Sequence, residues 1–296
     1  MRNPPARKSR SSMWHKWLLI LALLLTAATS FAQDFVCTLP VSRDPTSVIT
    51  QSFIVSAPPT PSAVLILLPG GAGIIKLTPT TPNSSPICTA STPSTDGTLE
   101  INSSNFLVRS RWLFAGHGFY TISLNAATDF LSTTNGLTDE QGSANHISDV
   151  LDIISWARTT VPDVPVLIVG TSRGTGGAFV AGLNSSPAGP DGLVFTDPIN
   201  NTTDPDSLLN AKLSAISVPV LLMDDAGNTC TGTLNSGNVA VKKALTSSPE
   251  VSREQVPAGG LIPLTDSCKE LSDHGFFGVE DKAVAKIVAW IASAGL

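Results

Sequence analysis

Charge is scarce in this chain. Only 14% of its 296 residues are Asp, Glu, Lys or Arg, against about 25% in an average soluble domain. Basic residues number 18 and acidic ones 23, for a formal net charge of −5. With no basic excess to neutralise phosphates, nucleic acid is not an expected partner. A hydrophobic content of 42% excludes a disordered polar chain. Histidine and cysteine are rare too, with four of each. There is no Cys-x-x-Cys and no clustered His spacing, so no metal and no other cofactor is expected.

What charge there is lies unevenly. Residues 1–32 hold Arg2, Arg7, Lys8, Arg10 and Lys16 and no acid, followed by the apolar run 17–25 and a small-residue stretch ending Ser30-Phe31-Ala32. A basic start, a short apolar centre and a small-x-small end predict a secretory signal peptide over 1–32. The run is too short for a membrane span, and no later run is long enough either. Cleavage would leave 13 basic against 23 acidic residues in 33–296, an acidic exported protein, periplasmic or secreted, read as a single domain. All four cysteines, Cys37, Cys88, Cys230 and Cys268, fall in that part. An even count in an oxidising compartment reads as two disulfides. Of the three pairings, the local ones, Cys37–Cys88 and Cys230–Cys268, are favoured.

Apolar runs of strand type alternate with longer amphipathic ones, which predicts an α/β fold with a mostly parallel sheet. Strands are expected over 63–68, 119–124, 164–169, 193–196 and 218–223, each a near-continuous apolar run of the kind buried on both faces. Helices are expected over 105–114, around Ile147, Val150, Leu151 and Ile154, and over 279–291, where Val284, Ile287, Val288 and Ile291 share a face. Residues 78–104 are rich in Thr, Ser, Pro and Asn and read as a long surface loop. Asn83 and Asn102 there match the glycosylation acceptor pattern, which is common by chance.

The chemistry centres on Gly170-Thr171-Ser172-Arg173-Gly174, directly after an expected strand and before a small-residue helix start. That is the strand–turn–helix setting of G-x-S-x-G, in which the serine stands on a tight turn and its neighbours must be small. The helix start aims N–H groups and a positive dipole end at a developing oxyanion. Ser172 is the expected nucleophile, and the amide of Arg173 an expected oxyanion donor. The second donor is expected from Gly71 or Ala72 in Pro69-Gly-Gly-Ala-Gly73, a glycine-rich loop after the 63–68 strand that lacks the Gly-Lys-Ser/Thr of a phosphate cradle.

A serine needs a base. His15 lies in the signal segment, His117 in a turn and His146 at a helix start, so His274 in Ser-Asp-His-Gly-Phe is the expected base. A Cys230–Cys268 bridge would tie its loop to the loop after 218–223. The third member should come from that second loop, Asp224-Asp-Ala-Gly-Asn-Thr-Cys230. The usual offset lands on Asn228, and Asp225 is the other main candidate. Asp224 and Asp197 are further positions, the latter more naturally a turn cap before Pro198. Arg173, Arg109 and Arg111 could select an anionic substrate or simply form ion pairs.

Taken together, Leu67–Gly71, Asn105–Arg111, Gly170–Thr175, Cys268 and His274–Glu280 resemble the α/β-hydrolase superfamily, in particular exported bacterial α/β-hydrolases of undefined substrate. The resemblance covers about residues 60–296. It implies a mostly parallel central sheet flanked by helices, with Ser172 and His274 as nucleophile and base. In that group the acid stands two residues before the cysteine of its loop, where this chain has Asn228. With no long insertion between Ile199 and Val218, no large lid is expected. The implied activity is a serine hydrolase acting on small or soluble acyl esters. A peptidase or thioesterase would use the same machinery. The other reading is a hydrolase-fold binding protein with a weakened triad.

Overall fold

The computed structural model describes residues 32–46, 48–77, 87–90, 103–133, 135–259 and 266–296. The expected signal segment, save Ala32, and both glycosylation acceptors lie outside these residues. Nine strands form one sheet: β1 (Gln33–Pro40), β2 (Thr50–Ala57), β3 (Ala63–Leu68), β4 (Ile87–Ala90), β5 (Phe119–Leu124), β6 (Val166–Thr171), β7 (Gly192–Thr196), β8 (Val220–Asp225) and β9 (Val251–Val256). The order across the sheet is β4-β1-β2-β5-β3-β6-β7-β8-β9. From β5 to β9 every pairing is parallel, while β1, β2 and β4 form an antiparallel flank.

The helices are α1 (Phe106–Arg109), α2 (Arg111–Gly116), α3 (Thr128–Leu131), α4 (Ala144–Thr160), α5 (Gly174–Ala181), α6 (Asn235–Ala244) and α7 (Glu280–Ser293). Side chains alternate across a strand, and β3 uses both faces. Val64, Ile66 and Leu68 join Val150 and Ile154 of α4 and Phe179 of α5 in one core. Ala63, Leu65 and Leu67 join Phe114 of α2 and Ile287 of α7 in the other. Burial on both faces explains why β3 reads as an unbroken apolar run.

The expected parallel strands form, with ends shifted by up to two residues. The helix expected over 105–114 is two short helices, because Ser110 leaves helical geometry with φ −97° and ψ 1°, ending α1 and opening α2. The loop expected over 78–104 contains β4, which pairs with β1 and sets Cys37 opposite Cys88. Two disulfides form, Cys37–Cys88 and Cys230–Cys268, in the favoured pairing. Among the described residues no helix is long and apolar enough to cross a membrane. Between Asp197 and Pro219 the chain makes only two single 3-10 turns, Leu208–Asn210 and Leu213–Ala215, and no lid domain.

Candidate active site

The turns at the carboxyl ends of β3, β6, β7 and β8 gather at one edge of the sheet, as ligand-binding loops do in parallel sheets. Ser172 follows β6 directly and has φ +52°, a left-handed conformation that is unusual for a non-glycine residue and found where the surrounding structure imposes it. Its own N–H donates to Thr196 O at 3.0 Å, and its carbonyl accepts from Thr175 N at 3.1 Å and Thr175 Oγ1 at 2.6 Å. The turn is therefore locked on both sides. Close packing explains its glycines: a Cβ on Gly174 would stand 2.4 Å from Leu68 O, and one on Gly70 would stand 2.9 Å from Ser172 Cβ.

Ser172 opens into a cleft of about 300 Å³ whose walls include Gly70, Gly71, Arg173, Cys230 and His274. Gly71 and Arg173 thus border the same space as the serine, whereas Ala72 does not line it. Among the described residues the N–H groups of Gly71 and Arg173 have no acceptor, so both can meet an oxygen in the cleft. Ser172 Oγ and the His274 ring share the cleft without a direct hydrogen bond, a contact that commonly tightens only with substrate.

His274 sits in a 3-10 turn, Asp273–Gly275, just before α7. Arg109 braces that turn, donating to Gly275 O and pairing with Glu280 at 2.9 Å. Phe276, next in sequence, takes φ +56° and packs its ring 4.6 Å from that of Phe106. The imidazole is buried, and burial pushes its pKa down to about 4, with only the charge of Asp266 acting the other way.

Among the described residues no carboxylate meets Nδ1 of His274. The partner is Thr233, whose Oγ1 lies 3.0 Å away. Behind Thr233 stands Asn228. Its Oδ1 accepts from Cys230 N at 2.9 Å, and its Nδ2 donates to Thr233 O at 3.1 Å and to Thr233 Oγ1 at 3.0 Å. A backbone donor on one end and a backbone acceptor on the other fix which way the amide points. Thr233 Oγ1 thus accepts a hydrogen bond from Asn228, which leaves it one lone pair and one hydrogen with which to meet His274 Nδ1. Where the hydroxyl donates, Nε2 carries the proton; where it accepts from Nδ1–H, Nε2 holds the lone pair that a base needs.

The remaining acid candidates lie elsewhere. Asp225 is buried and accepts from Gly227 N at 2.7 Å; burial pushes it up to about 7, and the charge of Asp273 adds to this. Asp224 is held by Asn238 and Arg253. Asp197, at the end of β7, is wholly buried, and among the described residues neither carboxyl oxygen has a hydrogen bond of good geometry, the Asn228 amide being its polar neighbour. Burial, and then the charges of Asp224 and Asp225, hold its pKa well above the usual carboxylate range, with the Asn228 amide acting the other way. His146 is buried between Phe130 and Gly177, outside the cleft.

The three arginines proposed as anion selectors are all paired. Arg111 bridges to Asp34 at 2.7 Å in the interior, and Arg109 braces the histidine turn. The guanidinium of Arg173 meets three carboxylates, Asp139, Asp204 and Asp206. An already over-neutralised cation is a poor anchor for a second anion. Among the described residues no group of His, Cys, Asp and Glu is arranged to hold a metal ion.

Thr233 escaped the sequence reading because a threonine three residues past a cysteine carries no motif. The usable signal was Asn at the acid offset, which implies that something else must contact the imidazole.

No protein-family model and no curated protein sequence matches the chain. Solved structures do. A dienelactone hydrolase from Anabaena variabilis superposes with a TM-score of 0.58 at 12% identity, covering 88% of this chain and 98% of that one. An esterase from Pyrococcus furiosus gives 0.55 at 10%, covering 90% and 93%. An alpha-beta serine hydrolase homologue from Coxiella burnetii gives 0.52 at 12%, covering 82% and 93%. At these identities the likeness is one of fold. The parallel sheet with its antiparallel flank, the serine turn after β6 and the superpositions agree that this chain has the α/β-hydrolase fold.

Proposed function

We propose that the protein is an exported serine hydrolase that cleaves small or soluble acyl esters. The observation that carries this reading is the Ser172 turn. A serine held at φ +52° between a buried strand and a helix start, facing a cleft bordered by two free N–H groups and an imidazole, is costly to build for any purpose but nucleophilic attack. Ser172 Oγ attacks the acyl carbon while His274 takes its proton and passes it to the leaving alcohol. The N–H groups of Gly71 and Arg173 hold the negative oxygen of the tetrahedral intermediate. Water, activated by the same imidazole, then releases the acid. The absence of a lid domain between β7 and β8 among the described residues favours soluble over interfacial substrates. Two disulfides suit an oxidising compartment.

A second reading rests on Thr233. A hydroxyl at Nδ1 cannot stabilise the imidazolium by charge, and because it can donate as well as accept, it does not enforce the tautomer that keeps a lone pair on Nε2 for the serine proton. In a protease triad an amide in place of the carboxylate lowers the rate about 10⁴-fold by the same fault. The corresponding protein would bind acyl ligands and turn them over slowly.

The test is labelling of the oxidised protein, residues 33–296, with a fluorophosphonate, alongside turnover of p-nitrophenyl butyrate. Labelling and turnover that both vanish in Ser172→Ala support the hydrolase. Absence of labelling in folded protein refutes it and leaves the binding reading.

A further inference from the structure

Resting on the reading of Ser172 as nucleophile, we propose that Gln141 is a positioning residue for the oxyanion site, its side-chain amide setting the peptide planes of the loop that carries Gly71.

Gln141 is buried, at 1% exposure, between two parts of the site. Its Nε2 donates to Pro69 O at 3.3 Å and to Gly71 O at 3.4 Å. A carboxamide has two hydrogens on that nitrogen, and the two carbonyls use both. The reverse orientation would face Oε1 toward two other oxygens, so chemistry alone decides how the amide points.

In a trans peptide the C=O of one residue and the N–H of the next lie in one plane and point in opposite directions. Fixing Pro69 O therefore fixes the N–H of Gly70, and fixing Gly71 O fixes that of Ala72. The plane between them is set by the loop itself, since Gly73 N donates to Gly70 O at 3.2 Å. That bond turns the N–H of Gly71 the other way, and Gly71, like Gly70, borders the cleft with an amide that has no acceptor among the described residues. Gln141 thus clamps the planes on both sides of the donor. Gly71 itself takes φ +59°, so the loop has no steric preference of its own to hold it there.

The same segment braces the loop a second time, through Leu137 N donating to Ala72 O at 2.9 Å. On its far side Gln141 lies against the nucleophile helix α5. A Cβ on Gly177 would approach Gln141 O to 3.1 Å and Oε1 to 3.4 Å. Gly177 therefore makes room for Gln141 beside the serine turn, and one side chain couples the two halves of the oxyanion site.

Gln141→Met keeps the length and removes the donor; Gln141→Glu, nearly isosteric, takes its place if the first does not fold. Each is compared with the wild type for kcat and KM on p-nitrophenyl butyrate and for inhibition by an alkylboronic acid, whose anionic adduct on Ser172 needs the oxyanion donors. The expected result is a fall in kcat of about 10- to 100-fold, below the roughly 10²–10³ of losing a donor outright. KM should stay within about 2-fold, as expected for an interaction made only in the transition state, and boronate affinity should weaken by the same factor as kcat. An unchanged kcat, or a lowered kcat with undiminished boronate affinity, overturns the assignment while leaving the nucleophile in place. If Ser172→Ala hydrolyses the ester as well as the wild type, the nucleophile reading has failed and the role of Gln141 falls with it.

Discussion

On one side of the cleft, Ser172 stands on a turn whose every neighbour serves it. Gly70 and Gly174 keep the turn close-packed, Thr175 and Thr196 fix its backbone, and the amides of Gly71 and Arg173 have no acceptor among the described residues. On the other side, His274 is held just as firmly but supported chemically by a hydroxyl and an amide where a carboxylate would be expected. Geometry is complete on both sides; charge is lacking on one. A left-handed serine and close-packed glycines have no alternative residue types, whereas an imidazole can be oriented by any hydrogen-bonding group, at a cost in rate only.

The largest expected effect treats both sides as one unit. Ser172→Ala and His274→Ala should each lower kcat by about 10⁴-fold or more, and the double variant should be no worse than either. Additive losses in steady-state kinetics would show that the imidazole does not act through the serine.

Next in size is a repair of the weaker side. In Asn228→Asp the carboxylate would accept the Thr233 hydroxyl hydrogen, leaving Thr233 Oγ1 to accept from Nδ1–H. Fixing that polarity selects the productive tautomer. It should raise kcat about 10- to 100-fold, part of the roughly 10⁴ that an orienting carboxylate is worth in a protease triad. The buried carboxyl of Asp197 opposes the new charge, so a lower melting temperature should accompany the gain. An unchanged kcat in a folded variant would mean that tautomer does not limit turnover.

The two disulfides separate stability from activity. They close loops of similar size, 51 and 38 residues apart, each worth about 4 kcal/mol on a chain-entropy scale. Only Cys230–Cys268 lines the cleft and joins the Asn228–Thr233 loop to the His274 loop. Paired Cys→Ser variants should lose comparable stability in urea unfolding. Activity should fall about 10-fold further for Cys230/Cys268, since small misplacements of catalytic groups are expensive. Equal activity losses would deny the second bridge any role in holding His274.

The smallest effect is a shift of a pH profile. As the proposed base His274 must be neutral, and burial pushes it down to about 4 where an ordinary imidazole titrates near 6.5. The acid limb of kcat/KM should therefore fall only as pH drops through about 4. In Asn228→Asp a nearby negative charge favours the imidazolium, so the limb should move up toward neutrality. A wild-type limb near 6.5 would indicate an ionised carboxylate that acts on His274 in solution.

The flank of the sheet was harder to read than its centre for a simple reason. β3, β5, β6, β7 and β8 are buried on both faces and announce themselves as apolar runs. β9, with Ser252, Arg253, Glu254 and Gln255 in succession, is an edge strand whose polarity hides it, as edges tolerate charge. β4 sits within a Thr- and Pro-rich stretch and is pinned by Cys88 to β1. At the site, the expectations for Ser172, His274, Gly71 and Arg173 came from spacing and chain order, and the structure brings all four to one cleft. Thr233 and Gln141 were not legible in the sequence, since each acts through a contact made 41 or about 70 residues away along the chain.

Sequence by itself determined the parallel sheet, the serine turn and the number of disulfides, because each depends on local pattern or on parity along the chain. Only the tertiary structure decided which group touches Nδ1, which of Gly71 and Ala72 borders the cleft, and that Arg173 is already neutralised by Asp139, Asp204 and Asp206. Those are questions of direction and distance between separate loops, and a side chain's direction is settled by what packs around it.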